Sequence, residues 1–188
     1  MKKVLLLTGL LPALACGGGR YDQPLRVRPE APSVRVGDTL VLTAGDDEGG
    51  EVDWEVQEAY GGGLLQSHGP RITYVPPEAA GAYHLILRTQ APGGHGHKQV
   101  VEIRVLPDPV LEPAAPHVPP AGSVQFRARM KGLARDAATW AVEEADGGEI
   151  TQDGHYTAPR RPGVYHVIAT ATGDPTASAR TPVTVGEP

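Results

Sequence analysis

Val27-Arg28-Pro29-Glu30-Ala31-Pro32-Ser33-Val34-Arg35-Val36-Gly37-Asp38-Thr39-Leu40-Val41-Leu42-Thr43-Ala44 is the stretch on which the fold turns, because the chain contains it twice. The second version is Leu111-Glu112-Pro113-Ala114-Ala115-Pro116-His117-Val118-Pro119-Pro120-Ala121-Gly122-Ser123-Val124-Gln125-Phe126-Arg127-Ala128. Pro29/Pro113, Pro32/Pro116, Val34/Val118, Leu42/Phe126 and Ala44/Ala128 all match at a separation of 84 residues. Further along, Val52-Asp53-Trp54-Glu55-Val56 is answered by Ala138-Thr139-Trp140-Ala141-Val142. Tyr74 and Pro76 with Gly81-Ala82-Tyr83-His84 are answered by Tyr156 and Pro159 with Gly163-Val164-Tyr165-His166. Each copy closes on an alternating run, Val101-Glu102-Ile103-Arg104-Val105 and Thr181-Pro182-Val183-Thr184-Val185. Self-similarity in a fixed order means two copies of one structural unit.

Each unit reads as all-β. Leu40, Leu42 and Ala44 alternate with Thr39, Val41 and Thr43, and Tyr83, Leu85 and Leu87 alternate with His84, Ile86 and Arg88. Val124, Phe126 and Ala128 do the same in the second unit. A period of two with one apolar face is the half-buried antiparallel strand. Clusters of Gly, Pro and Asp punctuate the runs, as sandwich turns require. The reading is therefore two small tandem β-sandwiches, residues 25–106 and 110–188, across a short stiff joint at 107–109. Trp54 and Trp140 are expected in the two cores, each burying on the order of 200 Å². Tyr74, Tyr83, Tyr156 and Tyr165 are expected to be structural core, Tyr74 and Tyr156 capping the sandwiches. Pro76 and Pro159 should end a strand where an edge must stop. Gly81 and Gly163 should admit a turn, and alternation points His84 and His166 outward. With one cysteine in the chain, neither unit has an intersheet disulfide.

Gly147-Gly148-Glu149-Ile150-Thr151-Gln152-Asp153-Gly154-His155-Tyr156-Thr157-Ala158-Pro159, then Pro162-Gly163-Val164-Tyr165, resembles the bacterial immunoglobulin-like (Big) domain family. Trp140 before it and the run from Asp174 through Ala179 into Val183-Thr184-Val185 are part of the likeness, which covers most of 108–188. Residues 25–106 match more loosely, with Ile72-Thr73-Tyr74-Val75-Pro76-Pro77 where the family has Gly-x-Tyr-Thr-Ala-Pro. The resemblance implies that both units are immunoglobulin-like β-sandwiches and that they serve as spacer or adhesive modules.

Residues 1–16 set the expected compartment. Lys2 and Lys3 precede the apolar run Val4 to Leu14, and Ala13-Leu14-Ala15 delivers Cys16. The run is shorter than the roughly 20 residues of a membrane span. It resembles a bacterial lipoprotein signal peptide over residues 1–15, with Ala13 where a leucine is usual. An ordinary signal peptidase would also cut after Ala15, so the two readings differ only in lipid. The position of Cys16, with no second cysteine to pair with, favours lipid. The resemblance implies diacylglycerol on Cys16, a membrane anchor and a flexible tether within 16–24. Gly17 after the cysteine implies outer-membrane sorting in a Gram-negative envelope, on its periplasmic or outer face. More than one acyl chain is needed for a stable anchor.

Charge and chemistry narrow the function. The chain carries 17 basic and 22 acidic side chains. Cleavage after Ala15 removes two lysines and no acid, leaving 15 against 22 and a formal charge of −7. That balance argues against nucleic acid. No catalytic constellation or cofactor motif stands out, so no enzyme and no cofactor are expected. His95 and His97 are weak metal candidates on a Gly-rich turn without an evident third ligand. Gly45-Asp46-Asp47-Glu48-Gly49 reads as a solvated acidic turn rather than a calcium loop. Ser67-His68 and Asp153-Gly154-His155 lack an evident triad partner. The expected function is a non-enzymatic, membrane-anchored envelope lipoprotein whose tandem domains serve as a binding, spacer or accessory structural module. Its partner would be an envelope protein or a surface glycan. The alternatives are a carbohydrate-binding or adhesive surface protein, with Tyr60 beside Gly61-Gly62-Gly63 as the candidate platform, and, behind it, a metal-binding protein using His95 and His97.

Overall fold

The computed structural model describes residues 25–45, 51–90 and 96–187. The signal peptide, Cys16, the tether up to Pro24, the acids at 46–48 and His95 lie outside them. The first unit contains β1 (Arg26–Arg28), β2 (Ser33–Arg35), β3 (Leu40–Gly45), β4 (Glu51–Val56), β5 (Gly63–Leu64), β6 (Arg71–Val75), β7 (Gly81–Gln90) and β8 (Gly96–Leu106). The second contains β9 (Asp108–Glu112), β10 (His117–Val118), β11 (Ser123–Gln125), β12 (Arg127–Lys131), β13 (Ala138–Val142), β14 (Glu149–Ile150), β15 (His155–Thr157), β16 (Gly163–Ala171) and β17 (Asp174–Val185). Among the described residues no helix is long and apolar enough to cross a membrane.

In the first unit one sheet runs β1-β3-β6-β5 and the other β2-β8-β7-β4. The proline-rich stretch between Pro29 and Pro32 breaks the first strand. Its first half pairs antiparallel with β3, and its second half crosses to pair parallel with β8. The second unit repeats the pattern. There β10 pairs parallel with β17 in the sheet β10-β17-β16-β13, while β9-β12 and β11-β15-β14 form the other layer. Four strands facing a sheet that ends in a parallel pair is the immunoglobulin-like order, with its first strand shared between sheets. The second unit's layer is split because the chain bends at Phe126, whose N–H donates to Gly154 O at 2.8 Å instead of joining a ladder.

Alternation fills each interior. Leu42, Ile72, Tyr74, Leu85, Leu87 and Ile103 are fully buried in the first core, as are Phe126, Tyr156, Val167 and Val183 in the second. Several aromatic expectations need correction. Trp54 is core at 3% exposure, but Trp140 is half-buried and packs on the second core from its rim, 6.2 Å from the Phe126 ring. Tyr165 is buried, whereas Tyr83 is half-buried against the first core. Tyr74 and Tyr156 are core, but at 0% exposure they lie in the interior rather than capping it. Pro77, not Pro76, is the counterpart of Pro159. Each lies against the left-handed glycine that opens β5 or β14, Gly62 at φ +92° and Gly148 at +95°.

The joint is shorter than the sequence suggested, because Asp108 and Pro109 already belong to β9 and only Pro107 separates it from β8. Contacts from both units surround it. Arg35 Nη1 donates to Pro107 O at 3.3 Å and lies 3.8 Å from Asp108, which Lys131 approaches at 3.9 Å. Ala80 N–H donates to Gly132 O at 2.8 Å. Gly132 has φ +89°, and a Cβ there would meet Val36 Cγ2 at 2.9 Å, Pro107 Cα at 3.1 Å and Ala80 Cβ at 3.2 Å.

Candidate functional site

The most built polar arrangement occurs twice. Four residues after each tryptophan stands a glutamate, Glu58 or Glu144, just past the end of β4 or β13. Glu58 accepts the His84 backbone N–H at 2.9 Å and meets His84 Nδ1 at 2.6 Å. Glu144 does the same with His166, at 2.8 and 2.6 Å. Burial pushes both carboxyls up, but the hydrogen bonds from the histidine backbone and ring outweigh it, so both titrate below the usual glutamate value. An ionised carboxylate has no proton to give, so Nδ1 carries the hydrogen and donates it. The two histidines, outward of the core face as alternation places them, are thus half-buried clasps.

In the second unit Glu143 comes within 3.5 Å of His166 Nδ1, which makes Glu143, Glu144 and His166 a cluster of metal-ligand type. The chemistry of the donors favours a clasp. The Arg180 guanidinium grips Glu143 Oε2 through two nitrogens, at 2.6 and 2.9 Å, and places a positive charge where a cation would bind. Nδ1 is already committed to Glu144. The first unit builds the same clasp with Gln57 in place of the additional acid.

The buried tyrosines tie the adjacent turns down. Tyr74 OH donates to Gly61 O and Tyr156 OH to Gly147 O, each at 2.5 Å. Burial, together with the neighbouring Tyr83 or Tyr165 and Glu58 or Glu144, pushes both hydroxyls up to about 12. Gly61 and Gly147 must be glycine for space. A Cβ would come within 2.8 Å of Val56 Cγ1 or 2.7 Å of Val142 Cγ1. The doubled glycines before β5 and β14 are therefore packing devices, not a flexible ligand loop.

Other candidates resolve individually. Tyr60 is 91% exposed. Its counterpart is Asp146, so this aromatic belongs to the first unit alone. His68 Nδ1 meets Asp53 Oδ1 at 2.5 Å, a partner that sequence spacing did not reveal. Ser67 contributes its backbone carbonyl to Trp54 N–H, and no hydrogen bond joins its hydroxyl to His68 among the described residues, so no triad is assembled. His97 pairs through its backbone with Thr89 in the β7–β8 hairpin, and the pairing of His95 with it as a metal site lies outside the described residues. An open groove of about 1020 Å³ runs along β8 below β1 and β2. Arg28 and Arg104 on its wall already face Glu30 at 3.4 Å and Glu102 at 3.6 Å.

The two units also differ at one edge. Leu64 pairs with Tyr74 and Ile150 with Tyr156, so the first unit spends four more residues between those partners. The added segment folds across the outer edge of β4. Trp54 N–H donates to Ser67 O and Gly69 N–H to Val52 O, each at 2.8 Å, around an antiparallel bridge between Asp53 and His68. Trp54 Nε1 donates to Gly69 O at 2.9 Å. The second unit replaces this cover with a tight turn at Thr151–Gly154, and β13 keeps an open edge.

Comparison with known proteins adds little beyond this architecture. No family model matches the chain, and no curated protein matches it. Among solved structures, the C-terminal 282-residue fragment of intimin, crystallised with the intimin-binding domain of its translocated receptor, aligns at 12% identity and TM-score 0.46 over 88% of this chain and 64% of that one. The insect immune protein hemolin aligns at 15% identity and TM-score 0.46, over 90% and 48%. Fibronectin(III)-like modules of Clostridium thermocellum CbhA align at 16% identity and TM-score 0.34, over 87% and 94%. The chain spans about two thirds of the intimin fragment and about half of hemolin. The immunoglobulin-like assignment rests on this chain's own strand order.

Proposed function

We propose that this protein is a non-enzymatic spacer and binding module of a bacterial cell envelope, held to the membrane by lipid on Cys16. The observation that carries the reading is the joint. Arg35, Ala80, Pro107, Asp108, Lys131 and Gly132 interlock two complete sandwiches across a single linker residue. A pair coupled in this way holds its two units in one set relation to each other, which suits presentation of a surface or packing in an assembly better than catalysis. The polar clusters support this, since the His–Glu clasps and tyrosine bonds are spent on the fold itself.

Cys16→Ala is the test. It should leave both sandwiches folded, abolish labelling by a fatty-acid analogue and move the protein from the membrane to the soluble fraction. Retention in the membrane with undiminished label would overturn the anchor. Crosslinking the lipidated protein in its native envelope should then yield a stoichiometric protein neighbour. Recovery of glycan instead would favour the second reading, carbohydrate binding, whose one specific support is the exposure of Tyr60.

A further inference from the structure

Among the described residues the open edge of β13 differs from the other edges of five residues or more. Unpaired strand edges template association, and proteins blunt them with charge, proline, shortness or a covering segment. β4 carries Glu51, Asp53 and Glu55 and is covered by Ser67–Gly69. The outer side of β8 carries Lys98, Glu102 and Arg104, and that of β17 carries Pro175, Arg180 and Pro182. β1 carries two arginines and β9 has Asp108, Pro109 and Glu112. β13 is Ala138-Thr139-Trp140-Ala141-Val142: five residues with no charge, no proline and, among the described residues, nothing paired to its outer side. Thr139 and Ala141 are exposed, and Trp140 borders an open groove with Phe126, Ala128 and Gln152.

The first unit shows which hydrogen bonds such an edge takes. Trp54 N–H and Val52 O are the groups satisfied by the covering segment, and Trp140 N–H and Ala138 O are their counterparts. The partner there is antiparallel and centred on Asp53, the counterpart of Thr139. We propose that the occupant of the β13 edge is β13 of a second copy of this chain, paired antiparallel about a twofold axis at Thr139. In that register Trp140 N–H of each copy donates to Ala138 O of the other, reproducing the bonds that Ser67 and Gly69 make in the first unit. A twofold pairing is self-complementary, so one sequence supplies both sides. Charge agrees with the register. Arg135, four residues before the axis, comes level with Glu143 of the other copy, four residues after it, whose Oε2 is held by Arg180 of its own chain, so that the contact falls to Oε1. Among the described residues Arg135 has no ion pair, and opposite charges across strands favour pairing.

The chain has a single cysteine, which makes the register directly testable. In the soluble Cys16→Ala protein, sedimentation equilibrium should show a monomer–dimer equilibrium. Thr139→Lys places two ammonium groups at the axis; it should weaken the dimer at least tenfold while leaving the unfolding midpoint of the dilute monomer unchanged. Thr139→Cys should then form a disulfide dimer on mild oxidation, because facing residues in a non-hydrogen-bonded pair have Cα atoms about 4.5 Å apart, within disulfide reach. Ala141→Cys should not, since its two copies would be four strand positions apart, roughly 13 Å. A protein monomeric at all concentrations, a dimer indifferent to Thr139→Lys, or equal crosslinking at 139 and 141 would each overturn the proposal.

Discussion

At the scale of single residues, the two units are held by the same few polar contacts. Tyr74 and Tyr156 place a hydroxyl in a fully apolar interior and satisfy it on one glycine carbonyl each. Removing it leaves that carbonyl buried without its donor, which costs about 1–3 kcal/mol. Tyr74→Phe and Tyr156→Phe should each lower denaturation stability by that amount, in the unit that carries the change. In an alkaline absorbance titration these two tyrosines should ionise last, near pH 12. The glutamate clasps give a sign in acid. Glu58 and Glu144 titrate below the ordinary value of 4.5, so the stability they contribute is present above that pH and lost as pH falls through their lower folded values. Glu58→Gln and Glu144→Gln should therefore lower the denaturant midpoint at pH 7 and flatten its decline below about pH 4.5. An unchanged acid limb in both variants would assign the loss to other carboxylates.

At the scale of strands, most of the fold was legible because alternation and repetition encode it. What escaped was whatever depends on a partner from another strand. Period two points His84 and His166 away from the core and says nothing of what holds them there. The glutamates that hold them lie 26 and 22 residues earlier, and no local pattern links the two. Their only trace was a glutamate four residues past each tryptophan. Trp140 was read as the twin of Trp54 because their neighbours match. Their environments diverge because four residues inserted elsewhere cover β4 and leave β13 bare. The exposure difference is measurable. Trp54→Ala should destabilise the first unit by about 3–5 kcal/mol, the range for buried aromatics. Trp140→Ala should cost the second unit distinctly less, and in the monomeric Thr139→Lys protein iodide should quench Trp140 fluorescence well before that of Trp54. Equal losses and equal quenching in that monomer would instead make Trp140 a core residue.

At the scale of the whole molecule, the interlocked joint sets how the units move together. Gly132 combines a left-handed backbone with three neighbours too close for a Cβ, one of them the linker proline. Gly132→Val should force the units apart without melting either core. Small-angle scattering should then report a broader distribution of inter-domain distances, while each unit keeps its denaturation midpoint. Unfolding of one unit would instead make Gly132 a core residue of that unit.

The parallel pairs β2–β8 and β10–β17 have a consequence for load. Each brings the entry strand of a unit against its exit strand, pointing the same way, with Arg104 N–H to Pro32 O and Thr184 N–H to Pro116 O as flanking bonds. Tension between an N-terminal anchor and a partner gripping the far unit pulls these strands in opposite directions along their length. The bonds between them are then sheared together rather than peeled one at a time. A tether built this way should yield abruptly and at high force in single-molecule pulling from its two ends, and at much lower force when pulled across the β7–β8 hairpin.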